Sequence, residues 1–227
     1  MNEEEYTTGL TEFLGQYVSD HKRELLENVL GQRTRFIAIV LEDIYQSQNA
    51  SAAIRTCECM GIQDIHIVEN SSKYAVNRRV MKGANKWVDL IRYKQARTNN
   101  TEECFKMLRS KGYKIVATDP GTSSKSIHEL EIDQKIALVM GNELRGLSEF
   151  TLNHADLKVH IPMYGFTESM NVSASMAVCL NSLLPKLRSS NIPWQLTEEE
   201  KNDIRLRWYK SIIKRSDALE RQWRSKR

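Results

Sequence analysis

The sequence predicts an α/β domain with a mostly parallel sheet of about six strands, flanked by helical segments at both ends of the chain. Three observations predict this class. Six short runs of β-branched and other apolar residues lack polar alternation, as expected of strands buried on both faces of a sheet. Helical patterns separate most of these runs. Further helical patterns precede the first run and follow the last one. An alternation of strands and helices indicates an α/β fold.

The elements follow in order along the chain. Apolar residues at three-to-four spacing over about residues 8–30 predict one or two amphipathic helices. The strands are predicted at residues 36–41, 64–68, 88–93, 113–118, 135–140 and 157–161. The helices between and after them are predicted at residues 50–60, 76–84, 101–111, 147–153 and 172–187. Gly61 and Gly112 follow two of these helices and fit left-handed C-terminal caps.

The last 40 residues predict one further helix. Thr197 with Glu200 fits a capping box, so the helix should begin there and continue to about residue 223. Ile204 and Trp208 belong to an apolar stripe on one face, and the other face is basic. We therefore expect a helical N-terminal extension at 1–35, an α/β domain at 36–187 and a basic helical C-terminal extension at 188–227.

Composition excludes several classes of protein. A chain of 227 residues with 41% hydrophobic and 27% charged residues suits one medium globular domain with terminal appendages. The sequence contains neither a membrane-spanning apolar stretch nor a secretory signal, so we expect a cytoplasmic protein without a membrane partner. The four cysteines form no CxxC pair, which favours buried reduced thiols and predicts no metal site.

The positive charge is concentrated in two segments. The formal net charge is only +4, but residues 73–97 hold eight Lys/Arg against one acidic residue, and residues 201–227 hold ten against three. Such segments can be merely solvated surface. Because Trp87, Trp208 and Trp223 lie within them, they favour a polyanionic partner. We expect the C-terminal segment to bind such a polyanion, with residues 73–97 as the second candidate.

Two motifs follow predicted strands. Ser47 or Asn49 could cap a helix rich in small residues, with Arg55 in its second turn, although a capped helix with an exposed arginine explains the same pattern. Gly141 and Gly146 bracket a loop directly after a buried strand, where open α/β sheets bind ligands. The loop lacks the Lys-Ser/Thr pair of a phosphate loop, and the sequence has no GxGxxG. Nucleotide hydrolases and Rossmann-type enzymes are therefore disfavoured.

A third motif spans residues 161–177, where a strand end leads through a loop into a helix of small residues. Asn171 could cap this helix, and the exposed backbone amides could hold a polar ligand. Tight packing of the small residues is the alternative explanation.

The three motifs together resemble those of the TrmH-type SPOUT RNA 2′-O-ribose methyltransferases over about residues 36–185. The resemblance is carried by Asn49…Arg55-Thr56, by Gly141-Asn142-Glu143…Gly146, and by Ile161-Pro162-Met163…Ser169-Met170-Asn171-Val172-Ser173. It implies a knotted SPOUT fold, in which the end of the domain threads a trefoil knot, a rare exception among protein chains.

The resemblance also implies a site. S-adenosylmethionine, the methyl donor, would contact Thr118, Gly141, Ile161 and Met170. The catalytic positions would be Asn49, Arg55, Glu143, Ser169 and Asn171. Arg55 would lie near the ribose 2′-hydroxyl and a substrate phosphate. The family proposal makes this arginine a base, but a guanidinium group keeps its positive charge near neutral pH, which favours an electrostatic clamp.

The helical N- and C-terminal extensions help to choose between transfer RNA and ribosomal RNA as the substrate. Ribosomal RNA enzymes of this family typically carry an additional RNA-binding domain, whereas about 35 helical residues precede the first strand here. This arrangement resembles the tRNA guanosine-18 enzymes, so we expect tRNA as the substrate. Ribosomal RNA is the first alternative, and a non-catalytic RNA-binding module is the second. The resemblance further implies a homodimer whose sites draw on both subunits.

Overall fold

The computed structural model of the protein describes residues 2–121 and 124–225. The described residues form two compact units. One unit comprises Thr34–Trp194, and the other comprises the described residues of 1–33 and 195–227. The two terminal segments, which the sequence analysis treats as separate extensions, thus belong to one helical unit. The domain boundaries at residues 35 and 187 stay a prediction.

The Thr34–Trp194 unit is built on a seven-stranded sheet with the order β3-β2-β1-β6-β4-β7-β5, and its ladders are parallel. The strands are β1 (Ile37–Glu42), β2 (Asp64–Val68), β3 (Asp89–Tyr93), β4 (Lys114–Thr118), β5 (Lys125–Ser126), β6 (Ile136–Met140) and β7 (Leu157–His160). The predicted mostly parallel α/β class is confirmed. Strand β5 was not predicted, because two residues are too few to show a pattern.

Both faces of the central strands are covered. Ile37 and Ile39 of β1 belong to one buried apolar cluster, whereas Ala38 and Val40, which alternate with them, belong to another. This two-sided burial explains why β1 contains an uninterrupted apolar run.

The helices of the unit are α3 (Ser47–Met60), α4 (Arg78–Met81), α5 (Asn100–Ser110), α6 (Glu149–His154) and α7 (Val172–Ser189), and 3₁₀ turns span Ala84–Lys86 and Ile127–Glu129.

Helix α4 is shorter than predicted. The helix expected over residues 76–84 is a single turn, Arg78–Met81, because Lys82 and Gly83 adopt left-handed conformations with φ of 47° and 83°. The predicted left-handed glycines after α3 and α5 are confirmed, with φ of 85° at Gly61 and 79° at Gly112.

The helical unit contains α1 (Glu3–Gly15), α2 (Asp20–Leu30), α8 (Glu198–Ile212) and α9 (Ser216–Ser225). The predicted capping box is confirmed, since the Thr197 hydroxyl accepts from the Glu200 amide and the Glu200 carboxylate accepts from the Thr197 amide. The prediction of one continuous tail helix is wrong. Arg215 is left-handed with φ of 60°, and the Ser216 hydroxyl donates to the Lys210 carbonyl at 2.9 Å, which satisfies a carbonyl at the end of α8.

Three further sequence expectations concern cysteines, membrane helices and metals. Cys57, Cys104 and Cys179 are buried free thiols, as predicted, but Cys59 is exposed, so the prediction of burial is wrong there. Cys59 lies two residues from Cys57 on α3 and therefore on the opposite face of that helix. Among residues 2–121 and 124–225, no helix has the length and apolarity to cross a bilayer, and no group of His, Cys, Asp or Glu could hold a metal ion.

Candidate active site

A cleft of about 630 Å³ lies at the carboxyl ends of the parallel strands. The segments that follow β4, β6 and β7 line it, together with the first turns of α3 and α7. Its volume is typical of pockets that enclose small ligands, and the carboxyl edge of an open α/β sheet is where such ligands bind. The architecture of the Thr34–Trp194 unit therefore provides a candidate active site at this edge.

Eight of the nine residues predicted for the site line this cleft, and one does not. The eight are Asn49, Thr118, Gly141, Glu143, Ile161, Ser169, Met170 and Asn171. Arg55 is exposed on α3, two turns beyond the start of the helix, and does not line the cleft. The fold thus brings the three sequence motifs together and leaves the arginine of the first motif outside the cavity.

A hydrogen-bonded chain joins the three motifs inside the cleft. Asn49 donates through Nδ2 to Glu143 Oε1 at 2.7 Å, and Asn171 donates through Nδ2 to Asn49 Oδ1 at 2.9 Å. Asn49 is buried, so its amide is held by partners rather than by bulk water. Since each side chain fixes the next, the position of Asn49 depends on both Glu143 and Asn171.

The start of α3 differs from the sequence prediction. Neither Ser47 nor Asn49 caps the helix, because Ser47 is already helical and Gln46 occupies the cap position without a side-chain cap bond. The Glu143 carboxylate instead accepts from the backbone amides of Tyr45, at 3.0 Å, and Gln46, at 3.3 Å. A carboxylate from a distant loop thus holds the two residues just before the helix, and its negative charge suits the positive end of the helix dipole.

The loop after β6 is a tight turn that tolerates no side chain at Gly141. Asn142 and Gly146 exchange two backbone hydrogen bonds, at 2.8 and 2.9 Å. A Cβ atom on Gly141 would lie 2.5 Å from the Gly146 carbonyl carbon and from the Leu147 nitrogen. The Asn142 side chain donates to the Asp43 carbonyl at 2.6 Å, which fastens the turn to the segment after β1. The backbone of the turn is therefore open to the cleft and held in one shape.

The predicted cap of α7 is confirmed. Asn171 Oδ1 accepts from the Ser173 amide at 2.9 Å and from the Ser173 hydroxyl at 2.7 Å. Because its Nδ2 group donates to Asn49 at the same time, Asn171 uses both ends of its amide. One residue thus caps a helix and orients a neighbouring side chain in the cleft.

Several residues that line the cleft were not predicted from the sequence, among them Asp119, His160 and Glu168. Asp119 follows β4 directly and His160 ends β7, so position after a buried strand is the signal that could have found them. Asp119, Glu143 and Glu168 give the cleft three carboxyl groups, an arrangement that favours a cationic ligand. The Thr118 hydroxyl is already engaged, donating to the Val139 carbonyl at 2.8 Å.

Large apolar side chains stand exposed beside the cleft. Leu144, which lines it, is 77% exposed, and Tyr164 is 97% exposed. Phe166, two residues further along the same loop, is fully exposed as well. Two segments that contribute lining residues to the cleft thus also present large apolar side chains to solvent.

Comparisons with known proteins identify the class to which this fold and cleft belong. The family model for the SpoU rRNA methylase family matches residues 37–181. The tRNA (guanosine(18)-2′-O)-methyltransferase of Borreliella burgdorferi is 42% identical over 207 residues, which are 91% of this chain and 93% of that protein. The chain belongs to the SpoU rRNA methylase family.

Solved structures share the architecture. The Aquifex aeolicus TrmH/SpoU tRNA modifying enzyme superposes with a TM-score of 0.75 at 29% identity, covering 86% of this chain and 98% of that one. AviRb from Streptomyces viridochromogenes, solved in complex with AdoMet, superposes with a TM-score of 0.61 at 18% identity, covering 76% and 81%. At that identity the second likeness concerns the fold alone.

Proposed function

We propose that the protein transfers a methyl group from S-adenosylmethionine to the ribose 2′-hydroxyl of guanosine 18 in tRNA. The observation that carries this proposal is the chain from Glu143 through Asn49 to Asn171, in which residues of the three motifs meet in one cleft. The 42% identity to a protein named for this reaction supports the choice of substrate.

The residues of the cleft fit the proposed methyl donor. S-adenosylmethionine, when bound, supplies a methyl group on a cationic sulfur, which makes the methyl carbon open to displacement by an oxygen. The three carboxyl groups of the cleft suit a positive charge, and the volume of about 630 Å³ suits a ligand of this size. Thr118, Gly141, Ile161 and Met170, which all line the cleft, would contact the donor largely through backbone groups.

The proposed acceptor side consists of Asn49, Arg55, Glu143, Ser169 and Asn171. A ribose 2′-hydroxyl becomes an effective nucleophile only as its proton leaves, so these residues would hold the hydroxyl in place and provide for removal of its proton. We assign Arg55 to hold the substrate phosphate and the reacting oxygen by its charge, with the proton passing through the phosphate. A guanidinium remains charged near neutral pH, so this role needs no unusual protonation state.

A homodimer is part of the proposal. The position of Arg55 outside the cleft of its own chain supports it, because a second copy could bring this arginine to a site. The exposed Leu144, Tyr164 and Phe166 beside the cleft supply apolar surface for such contact. Sedimentation equilibrium would give a mass of about twice 26.3 kDa if the proposal holds, and 26.3 kDa at working concentration would reject it.

The proposal has three further parts. The resemblance implies a trefoil knot in the Thr34–Trp194 unit, whereas the sequence patterns predict a division of the chain near residues 35 and 187 and a cytoplasmic place of action. The strand order, with β6 between β1 and β4 and with β7 between β4 and β5, supports a chain path that passes between earlier strands. Ribosomal RNA remains the second candidate substrate, supported by the description of the family model.

The direct test uses methyl-labelled donor with separate pools of unmodified tRNA and ribosomal RNA, followed by mapping of the labelled nucleotide. Label confined to a 2′-O-methyl group in the D-loop of tRNA is the expected result. Label on ribosomal RNA alone would replace the substrate with the second candidate. No transfer to either pool, with no calorimetric heat of donor binding, would favour a non-catalytic RNA-binding module.

A further inference from the structure

Five exposed cationic side chains lie along one short segment of the Thr34–Trp194 unit, and we call the exposed side of this segment the 73–86 surface. Its members are Lys73, Arg78, Arg79, Lys82 and Lys86, and all five are exposed. Residues 70–88 contain no acidic residue. The surface therefore concentrates positive charge over a short stretch of chain with no carboxylate of its own.

The nearest acidic residues in sequence are engaged elsewhere. On one side, Glu69 pairs with Arg92 at 2.7 Å and also accepts from the Tyr74 amide. On the other side, Asp89 pairs with Arg35 at 2.8 Å. Within the described residues, none of the five cations of the 73–86 surface makes an ion pair. Their charge thus remains available to a polyanion.

The backbone beneath these cations is held in place. Asn77 caps α4 through hydrogen bonds to the amides of Arg79 and Val80, and Met81 is buried in the apolar cluster of the sheet. At the start of the segment, the Asp43 carboxylate accepts from three consecutive amides, those of residues 70–72, at 2.7 to 3.0 Å. Because this backbone is already ordered, binding a ligand costs less conformational entropy than it would for a flexible basic segment.

The surface is fastened to the helix that carries two of the predicted catalytic residues. The Asn77 amide donates to the Ser51 hydroxyl at 2.8 Å. Ser51 lies on α3 between Asn49, which lines the cleft, and Arg55. An anion bound to the 73–86 surface would therefore sit beside the helix proposed to hold the substrate phosphate.

The basic tail is different, because several of its cations are already paired within the helical unit. Arg205 pairs with Glu27 at 2.5 Å, and Lys210 pairs with Glu220 at 2.6 Å. Arg224 pairs with the same Glu220 at 2.8 Å. Although the sequence analysis ranks the tail first as an RNA-binding segment, these ion pairs favour the 73–86 surface instead.

We infer that the 73–86 surface binds phosphates of the RNA substrate and directs the strand towards α3. This inference rests on the proposed function for the identity of the RNA. Each phosphate that a cationic side chain neutralises releases condensed counterions, so contacts appear in the slope of log affinity against log salt concentration, at about 0.7–0.9 per contact.

The test compares two double variants that remove the same charge, Arg78→Gln/Arg79→Gln on the surface and Lys214→Gln/Arg221→Gln in the tail. Both tail residues are exposed and make no ion pair within the described residues. Anisotropy of labelled tRNA, titrated at several salt concentrations, gives the slope for each protein. Lys82→Gln/Lys86→Gln repeats the surface test should the first surface variant melt below wild type.

The surface variant is expected to lower the magnitude of the slope by about 1.4–1.8, whereas the tail variant leaves the slope near the wild-type value. Affinity for tRNA should fall on the order of 10-fold at moderate salt, with the affinity for the methyl donor unchanged. Equal slopes for surface variant and wild type would overturn the inference, and so would a slope lowered only by the tail variant. Binding is measured without turnover, so the two proposals can fail separately. If the wild type binds tRNA, the surface variant lowers the slope as expected, and no tRNA is methylated, the proposed function is rejected while RNA binding by the 73–86 surface stands.

Discussion

The helical unit uses its charged side chains to join its own helices. Glu220 of α9 is hydrogen-bonded by Tyr6 of α1 and pairs with Lys210 of α8, at 2.6 Å, and with Arg224, at 2.8 Å. Its side chain is only 13% exposed, so a single carboxylate links three helices in a largely buried position.

The Thr34–Trp194 unit places its polar groups at the edge of the cleft instead. Glu143 and Asn171 hold Asn49 there, while Arg55 stays exposed. This difference between the two units shows that a basic composition alone does not identify a binding surface. Cations that are paired with carboxylates stabilise the fold, whereas unpaired cations remain available to a ligand. Substitutions in the helical unit should therefore change stability, and those at the cleft should change activity.

The largest effect is expected from Arg55→Ala. Removing one preorganised charge from an acceptor site typically lowers the rate about 10²- to 10³-fold, so single-turnover methyl transfer should fall by that factor. The melting temperature and the calorimetric donor affinity should stay near wild type, because Arg55 is exposed and does not line the cleft. A loss of donor affinity that matches the loss of rate would assign Arg55 to the donor side.

The variant Arg55→Lys distinguishes an electrostatic role of Arg55 from a role as a general base. If Arg55 acts as an electrostatic clamp, the pH profile of single-turnover transfer should drop in height and keep its shape. If the residue were a general base, the change in side-chain pKa should move the profile along the pH axis.

Glu220→Gln is expected to lower the free energy of unfolding by about 1–3 kcal/mol, because the variant removes the charge that Lys210 and Arg224 pair with in a largely buried position. Urea denaturation measures this loss. The rate of methyl transfer by the folded enzyme should not change. If Glu220→Gln instead slowed methyl transfer by the folded enzyme and left its stability unaltered, this would contradict the assignment of stability to the helical unit and of activity to the cleft.

The pH dependence of stability gives a second reading of Glu220. Desolvation raises the pKa of this carboxyl, but hydrogen bonds from Lys210 and Tyr6 outweigh it and lower the pKa to about 2. A carboxyl with a lowered folded-state pKa contributes stability above its unfolded value, near 4.5, and loses it as the pH falls towards 2. The wild type should lose this contribution between those pH values, and Glu220→Gln should lack it.

Asn171→Ala is expected to have the smallest effect on stability, about 0.5–2 kcal/mol, through loss of the α7 cap. Methyl transfer should fall as well, because Asn171 orients Asn49. Asn171→Asp is the matched control, since it keeps a capping oxygen and loses the amide that donates to Asn49. Wild-type activity in Asn171→Asp would show that the bond to Asn49 is dispensable.

The sequence could predict features that depend on nearby residues. Six of the seven strands, the capping box at Thr197 and the cap at Asn171 follow from short patterns, and the structure agrees with them. The family resemblance added the positions of the site residues, eight of which line one cleft.

The remaining features depend on residues far apart in the chain. No local pattern shows that Glu143, rather than Ser47 or Asn49, satisfies the amides at the start of α3. Charge counts could not show that Glu27 and Glu220 would pair with cations of the tail, because these pairs form only when the helices pack. Burial and pairing of charges therefore had to come from the structure.

The central claim is that the cleft methylates the 2′-oxygen of one ribose, and a tRNA with a single changed atom tests it most directly. Two transcripts that differ only at position 18, one with guanosine and one with 2′-deoxyguanosine, are incubated with the protein and labelled donor. We predict stoichiometric labelling of the first and no labelling of the second, with similar affinity for both. Equal labelling of the two would place the methyl group on another atom and contradict the account.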